Sequence, residues 1–367
     1  MSTPSYPIRV LVVDDSALMR KLIPTLLARD PQIEVVGTAM DGVFALRKIP
    51  ELLPDVVTLD IDMPRMDGLT TLRRIMEESP RPVILLSSHT QQGAALTVLA
   101  LEMGAVDFIA KPRGPFPQSL EEVGAELIAK VRAAASAIPQ RIHRVPEEAL
   151  FPKVPPTQQS AASRVVAIGI STGGPYALAS FLPVLAEDFP AAILIVQHMP
   201  AGFTRMLAER LNHISRVRIK EAEDGDPILP GRVLIAPGNL HLKVRQGPAG
   251  PVAAIEDGID VNGHRPSADV LFRSVAEVFG RRAMGVIMTG MGHDGVEGLG
   301  QIRRAGGTTF GQDEASCVIY GMPKVAVERG FVQHVVPVEK LARSLQEQLE
   351  GLERGGDPYG GYVRIGG

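Results

Sequence analysis

Ser171 lies in Gly169-Ile170-Ser171-Thr172-Gly173, which fits G-x-S-x-G, a tight strand-to-helix turn that exposes a serine. A serine hydroxyl is a weak nucleophile and needs a base. His198, in Gln197-His198-Met199-Pro200, follows the apolar run 192–196, so it stands at a strand end as Ser171 does. Asp294 follows another such run, 283–289, inside Gly290-Met291-Gly292-His293-Asp294-Gly295. There it can orient a histidine and stabilise its protonated form. Thr172 and Met291 are candidates for oxyanion or substrate contacts, with backbone N–H groups near Met291 as donors. His293 is a rival base, although it adjoins the acid it would have to face. The order serine, histidine, aspartate differs from the orders in chymotrypsin, subtilisin and α/β-hydrolases, which implies convergent chemistry on a different fold.

A second constellation occupies the first third of the chain. Asp14 and Asp15 follow the run Ile8–Val13, Asp60 follows the run 55–59, and Ser87 and Lys111 end the runs 82–86 and 106–110. In a sheet of order 2-1-3-4-5, strands 1 and 3 are neighbours at the topological switch point, where ligands bind beyond the strands' carboxyl ends. Three carboxylates gathered there repel one another, and a hard divalent cation relieves the repulsion. Mg²⁺ takes a few carboxylates, water and phosphate oxygens. The Ser87 hydroxyl and Lys111 ammonium suit a phosphoryl group held at the same rim.

The elements that must position these residues follow from the apolar pattern. The runs are rich in Val, Ile and Leu without clean alternation, as strands buried on both faces are. Helix-like stretches such as 16–28 and Gly68–Glu78 separate them, and five β–α units give a flavodoxin-like, parallel, doubly wound sheet. The segment 138–163 holds Pro139, Pro146, Pro152, Pro155 and Pro156 and reads as an extended linker. A second, mostly parallel α/β pattern begins at Arg164. The expected division is 1–130, a linker at 131–163, a second domain at 164–354 and a disordered tail at 355–367.

The 367 residues exceed one ordinary domain, and 45% hydrophobic with 22% charged residues excludes the disordered class. A net charge of -3 without a basic cluster gives no reason to expect nucleic acid as a partner. No apolar stretch is long enough for membrane insertion, and the start lacks the basic and apolar regions of a signal peptide. A cytoplasmic protein is expected. Cys317 stands alone, which excludes an internal disulfide and a multi-cysteine zinc site, and it reads as a buried, inert thiol.

With Asp60-Ile61-Asp62-Met63-Pro64-Arg65-Met66-Asp67-Gly68 as its most specific segment, the first domain resembles a response-regulator receiver over roughly 8–129. The resemblance implies that a histidine kinase phosphorylates Asp60 with Mg²⁺ bound. Asp15 and Asp60 would ligate the metal directly, Asp14 through water, and Asp62 through its backbone carbonyl. Ser87 stands where many receivers carry threonine.

The second domain resembles the chemotaxis protein-glutamate methylesterases. The likeness rests on Gly-Ile-Ser-Thr-Gly-Gly, Gln-His-Met-Pro and Thr-Gly-Met-Gly-His-Asp-Gly, and extends through residues 230–238 and 265–272. It implies that Ser171 attacks a glutamyl methyl ester on a methyl-accepting receptor, that His198 takes its proton and that Asp294 orients His198. Methanol leaves, and receptor glutamines are deamidated by the same path. No cofactor is implied for the hydrolysis.

Two other readings compete. Residues 290–295 also spell G-x-G-x-x-G, with Asp313-Glu314 about 20 residues on, as a dinucleotide fingerprint requires. That reading leaves Ser171 and His198 idle and falls late in its domain. The other makes the second domain a non-catalytic protein-binding output of the receiver, which leaves the triad unexplained.

Overall fold

The computed structural model describes residues 6–88, 90–111, 117–137 and 161–353. The first sheet contains β1 (Ile8–Val13), β2 (Ile33–Ala39), β3 (Val56–Asp60), β4 (Val83–Ser87) and β5 (Asp107–Ala110). Its order is β2-β1-β3-β4-β5 with every pairing parallel, as the sequence pattern predicts. Its helices are α1 (Met19–Leu27), α2 (Gly42–Leu52), α3 (Gly68–Glu78), α4 (Gln91–Glu102) and α5 (Pro117–Ala135). Asp41, Asp67 and Thr90 cap α2, α3 and α4, each side-chain oxygen accepting from a backbone N–H three residues on.

The second body begins with β6 (Val165–Ile170), α6 (Gly174–Phe181), β7 (Ala192–Gln197), α7 (Phe203–Ile214), β8 (Arg218–Glu221) and β9 (Arg232–Ile235). The hairpin β10 (His241–Gly247) and β11 (Gly250–Glu256) follows, then α8 (Ala268–Phe279), β12 (Ala283–Ile287), α9 (Val296–Arg304), β13 (Thr308–Gln312), α10 (Met322–Glu328), β14 (His334–Val336) and α11 (Val338–Glu353). The seven-stranded sheet runs β14-β13-β12-β6-β7-β9-β8, all parallel, and β10-β11 forms a separate antiparallel pair. From β6 the chain winds out through β7 to β8 and β9, then crosses back to β12. The carboxyl ends of β12, β6 and β7 therefore surround the topological switch point. Val165, Val166, Ala167, Ile168 and Ile170 are wholly buried, each larger side chain contributing about 1.5–3 kcal/mol of transfer free energy.

The structure differs from the expected boundaries in small ways. The first helix starts at Met19 rather than 16, because Ser16 and Leu18 form a turn in which Ser16 N–H bonds the Asp14 carboxylate at 2.8 Å. Helix α5 continues past 131 because Leu127, Val131 and Ala134 keep the buried helical stripe going. Ala162 is already buried, its N–H donating to the Ile228 carbonyl at 2.9 Å. The rest of the expected linker and the tail from 355 lie outside the described residues.

The two bodies touch where the carboxyl rim of the second sheet meets the amino end of β5 and the end of α4 in the first. Phe108 on β5 and Phe203 on α7 pack with ring centroids 4.5 Å apart. Gly173 N–H donates to the Val106 carbonyl at 3.2 Å. Arg210 on α7 donates to Glu102 on α4 at 2.9 Å, and burial of Glu102 raises its pKa despite that partner.

Candidate active site

Ser171, His198 and Asp294 each follow one of three adjacent strands, β6, β7 and β12. The turn after β6 needs Gly173, whose φ of +78° is left-handed and whose missing Cβ leaves room for Val318. Gly290 is required for a different reason: a Cβ there would come 2.7 Å from Ser171 Cβ. These two glycines let the β6 and β12 loops close on each other.

Asp294 is fully buried and accepts four hydrogen bonds. Its Oδ2 meets His198 Nε2 at 2.8 Å and Ala268 N–H at 2.6 Å, and its Oδ1 takes Ser267 Oγ at 2.7 Å and Asn262 Nδ2 at 2.9 Å. Burial pushes the Asp294 carboxyl up. The bond to and charge on His198, with Ser267 and Asn262, outweigh it and hold the acid well below the usual carboxylate range. Because Nε2 faces Asp294, the histidine offers Nδ1, which is buried and without a partner. Among the described residues no hydrogen bond joins Ser171 Oγ to that ring.

Ser171 and His198 line a cavity of about 450 Å³ with Thr172 and Met291, and its opposite wall is Asp107, Phe108, Glu126 and Lys130 of the first body. Met291 is 40% exposed beside it. Thr172 Oγ1 is turned to Asp107 Oδ2, at 2.5 Å. His293 is exposed and takes no part in the couple. Cys317 is 2% exposed, and burial pushes its thiol up, as expected of an inert core cysteine.

At the other rim, carboxylate oxygens of Asp14, Asp15 and Asp60 lie within 4.8 Å of one another. Lys111 Nζ reaches Asp60 at 2.8 Å and Asp14 at 3.1 Å. Burial raises Asp60 to about 6 against the opposing pull of Lys111, and Asp14 adds to the rise. The Oδ2 atoms of Asp14 and Asp60 are buried and share the Lys111 ammonium as their one counter-charge, so three clustered carboxylates face a single cation, a donor set that suits a further hard cation. Asp62 N–H faces Asp60 at 3.4 Å. Ser87 is turned inward: its hydroxyl accepts from Thr97 Oγ1 at 2.6 Å and donates toward carbonyls of Ser88 and Gly93.

Several polar residues around the couple were given no role by the sequence. Gln197 Nε2 donates to the carbonyls of Ser171 at 2.9 Å and His198 at 3.3 Å. Asn262, His264 and Ser267 sit in the segment before α8, where only the juxtaposition of polar types ahead of an amphipathic helix marks them.

A receiver-like body packed against a serine, a histidine and an aspartate on three adjacent strand ends has the arrangement of a receiver-coupled serine hydrolase. Residues 10–118 match the response regulator receiver domain, and residues 166–345 match the CheB methylesterase family. A protein-glutamate methylesterase/protein-glutamine glutaminase of Koribacter versatilis is 53% identical, covering 93% of this chain and 96% of its own. The enzyme of the same name from Pyrococcus horikoshii is 45% identical over 98% of both chains. The Thermotoga maritima CheB methylesterase catalytic domain is 41% identical over 50% of this chain and 97% of its own, with a TM-score of 0.49. The chain belongs to the protein-glutamate methylesterase/protein-glutamine glutaminase family, with a receiver domain in front of the hydrolase. The dinucleotide and binding-only readings fall with that assignment. The acid of the G-x-G-x-x-G segment faces a histidine, and the Asp313 carboxylate is occupied by Ser316.

Proposed function

We propose that Ser171, His198 and Asp294 hydrolyse glutamyl methyl esters, and glutamine amides, on the cytoplasmic helices of methyl-accepting chemotaxis receptors. The observation that carries this reading is the His198–Asp294 couple, buried beside a serine on the adjacent strand at a cavity. Ser171 Oγ attacks the γ-carbonyl while His198 Nδ1 takes its proton, and Asp294 stabilises the resulting imidazolium. Among the described residues neither Thr172 nor Met291 gives its backbone N–H to another backbone carbonyl, so both are available to an oxyanion. His198 then gives that proton to the leaving methoxy oxygen or amide nitrogen as its bond to the carbonyl carbon breaks, releasing methanol or ammonia, and water repeats the sequence on the acyl-enzyme.

The receiver, β1 through α5, takes phosphate from a chemotaxis histidine kinase on Asp60. Asp14, Asp15 and Asp60, with the Asp62 carbonyl, would hold the Mg²⁺ that neutralises the incoming phosphoryl charge, and Lys111 adds a second cation. Ser87 reaches the phosphoryl group only after its hydroxyl leaves Thr97. Without phosphate, β5 and α5 wall the cavity and keep receptor helices out; phosphorylation shifts the population toward an open arrangement. No helix among the described residues is long and apolar enough to cross a membrane.

An active-site phosphonate probe tests the nucleophile. Phosphodonor-treated protein should carry one adduct on the peptide containing Ser171, and His198→Ala should suppress it. An adduct elsewhere, or labelling indifferent to His198, contradicts the assignment.

A further inference from the structure

The segment between β11 and α8 folds back on itself in a two-residue turn. Val261 and His264 exchange backbone hydrogen bonds at 3.1 and 3.0 Å. Asn262 and Gly263 between them have φ of 55° and 77°. Two left-handed residues in succession are what a type I′ turn requires, and Asn-Gly is the pair that meets this most cheaply. Arg265 fastens the base of the turn to the carboxylate of Asp257 and, at 2.5 Å, to the carbonyl of Gly258.

What the turn presents is unusual. The Asn262 carboxamide donates to Asp294 Oδ1 at 2.9 Å and to Asp269 Oδ2 at 2.8 Å. Asp269 is itself 2% exposed and anchored by Gly298 N–H at 2.6 Å, so the carboxamide is held from behind as it holds the catalytic acid. One residue beyond the turn, the His264 ring lies on the His198 ring, centroids 3.8 Å apart and planes within 9°. His198 is fixed at one edge by Asp294, and a ring pinned at a single edge can still pivot about that bond. A parallel ring at van der Waals distance blocks the pivot and keeps Nδ1 in one direction.

We propose that the Asn262–Gly263 turn is the positioning element of the catalytic couple, Asn262 fixing the Asp294 carboxylate and His264 fixing the plane of His198. The inference rests on the triad reading above. His264 touches neither nucleophile nor acid in this role; its flat face is what matters, not its ring nitrogens. Misplacing a general base by about an ångström can cost on the order of a hundredfold in rate.

The test uses the full phosphodonor-activated chain and its His264→Ala, His264→Phe and Asn262→Ala variants. Methanol release from methylated receptor fragments is measured beside the downfield proton resonance of the His198–Asp294 hydrogen bond. His264→Ala and Asn262→Ala should lower kcat about 10- to 100-fold, change KM less than about threefold, and broaden or remove the resonance. His264→Phe should restore kcat to within about threefold and restore the resonance. The proposal is overturned if both alanine variants keep the resonance and a kcat within about twofold of wild type. It is overturned equally if phenylalanine serves no better than alanine. The resonance reads the geometry without turnover, so an inactive wild type would count against the receptor reading alone.

Discussion

Thr172 Oγ1 donates to Asp107 Oδ2 at 2.5 Å, tying the residue next to Ser171 to the last strand of the receiver sheet. The same strand leads into Lys111, whose ammonium sits 2.8 Å from the Asp60 carboxylate. Strand β5 thus leads to the Asp60 partner at one end and carries a latch to the Ser171 rim at the other. Asp107→Ala removes the latch. Unphosphorylated protein should then release methanol about tenfold faster, since a hydrogen bond to a charged group is worth ~1.5–3 kcal/mol. An unchanged basal rate would show that the latch does not hold the closed arrangement.

The Glu102–Arg210 pair offers a test of the same interface by a different force. Glu102 is 2% exposed, so Arg210→Met leaves a buried carboxylate unpaired in the closed arrangement. Breaking one side of a buried pair costs about 3–5 kcal/mol, whereas replacing both sides is often near neutral. Basal methanol release should therefore rise in Arg210→Met and return toward wild type in the double variant Glu102→Met/Arg210→Met. Equal rates in the single and double variants would rule out this pair as a closure contact.

Asp60→Asn should leave the basal rate at the unphosphorylated level and abolish the response to a small-molecule phosphodonor. Titrating the donor against initial rate checks this. A response that survives the substitution would place the acceptor elsewhere.

The pattern of buried apolar runs made both sheets legible, because parallel strands covered on two faces leave an unmistakable signature in Val165–Ile170 and its counterparts. That Ser171, His198 and Asp294 come together was legible because each follows such a run, and strand ends in a parallel sheet share one rim. The supports were not. Asn262 and His264 act through a turn whose contacts to Asp294 and His198 cross long stretches of sequence, and nothing local distinguishes an asparagine that caps a carboxylate from one that merely turns the chain. Ser87 was read as facing the phosphate site from its strand-end position alone. Its hydroxyl has a nearer partner in Thr97, one helix away.

His264 sets a pH dependence of stability. Burial first, and the charge of His198 second, lower it from 6.5 to about 4. As pH falls through 6.5 the unfolded chain takes up a proton that the folded chain refuses until about 4, so the native state loses stability across that window and keeps it above. His264→Phe removes the penalty. Between pH 7.5 and 4.5 the wild type should lose about 1–2 kcal/mol more than the variant, allowing for partial exposure of the ring. Parallel losses in denaturant melts at the two pH values would contradict it.

The most direct measurement is methanol release from methylated receptor fragments by wild type and Ser171→Ala, each with and without phosphodonor. The account predicts release that rises with phosphodonor in wild type and falls to background in both Ser171→Ala samples. Release by folded Ser171→Ala at the wild-type rate would contradict it.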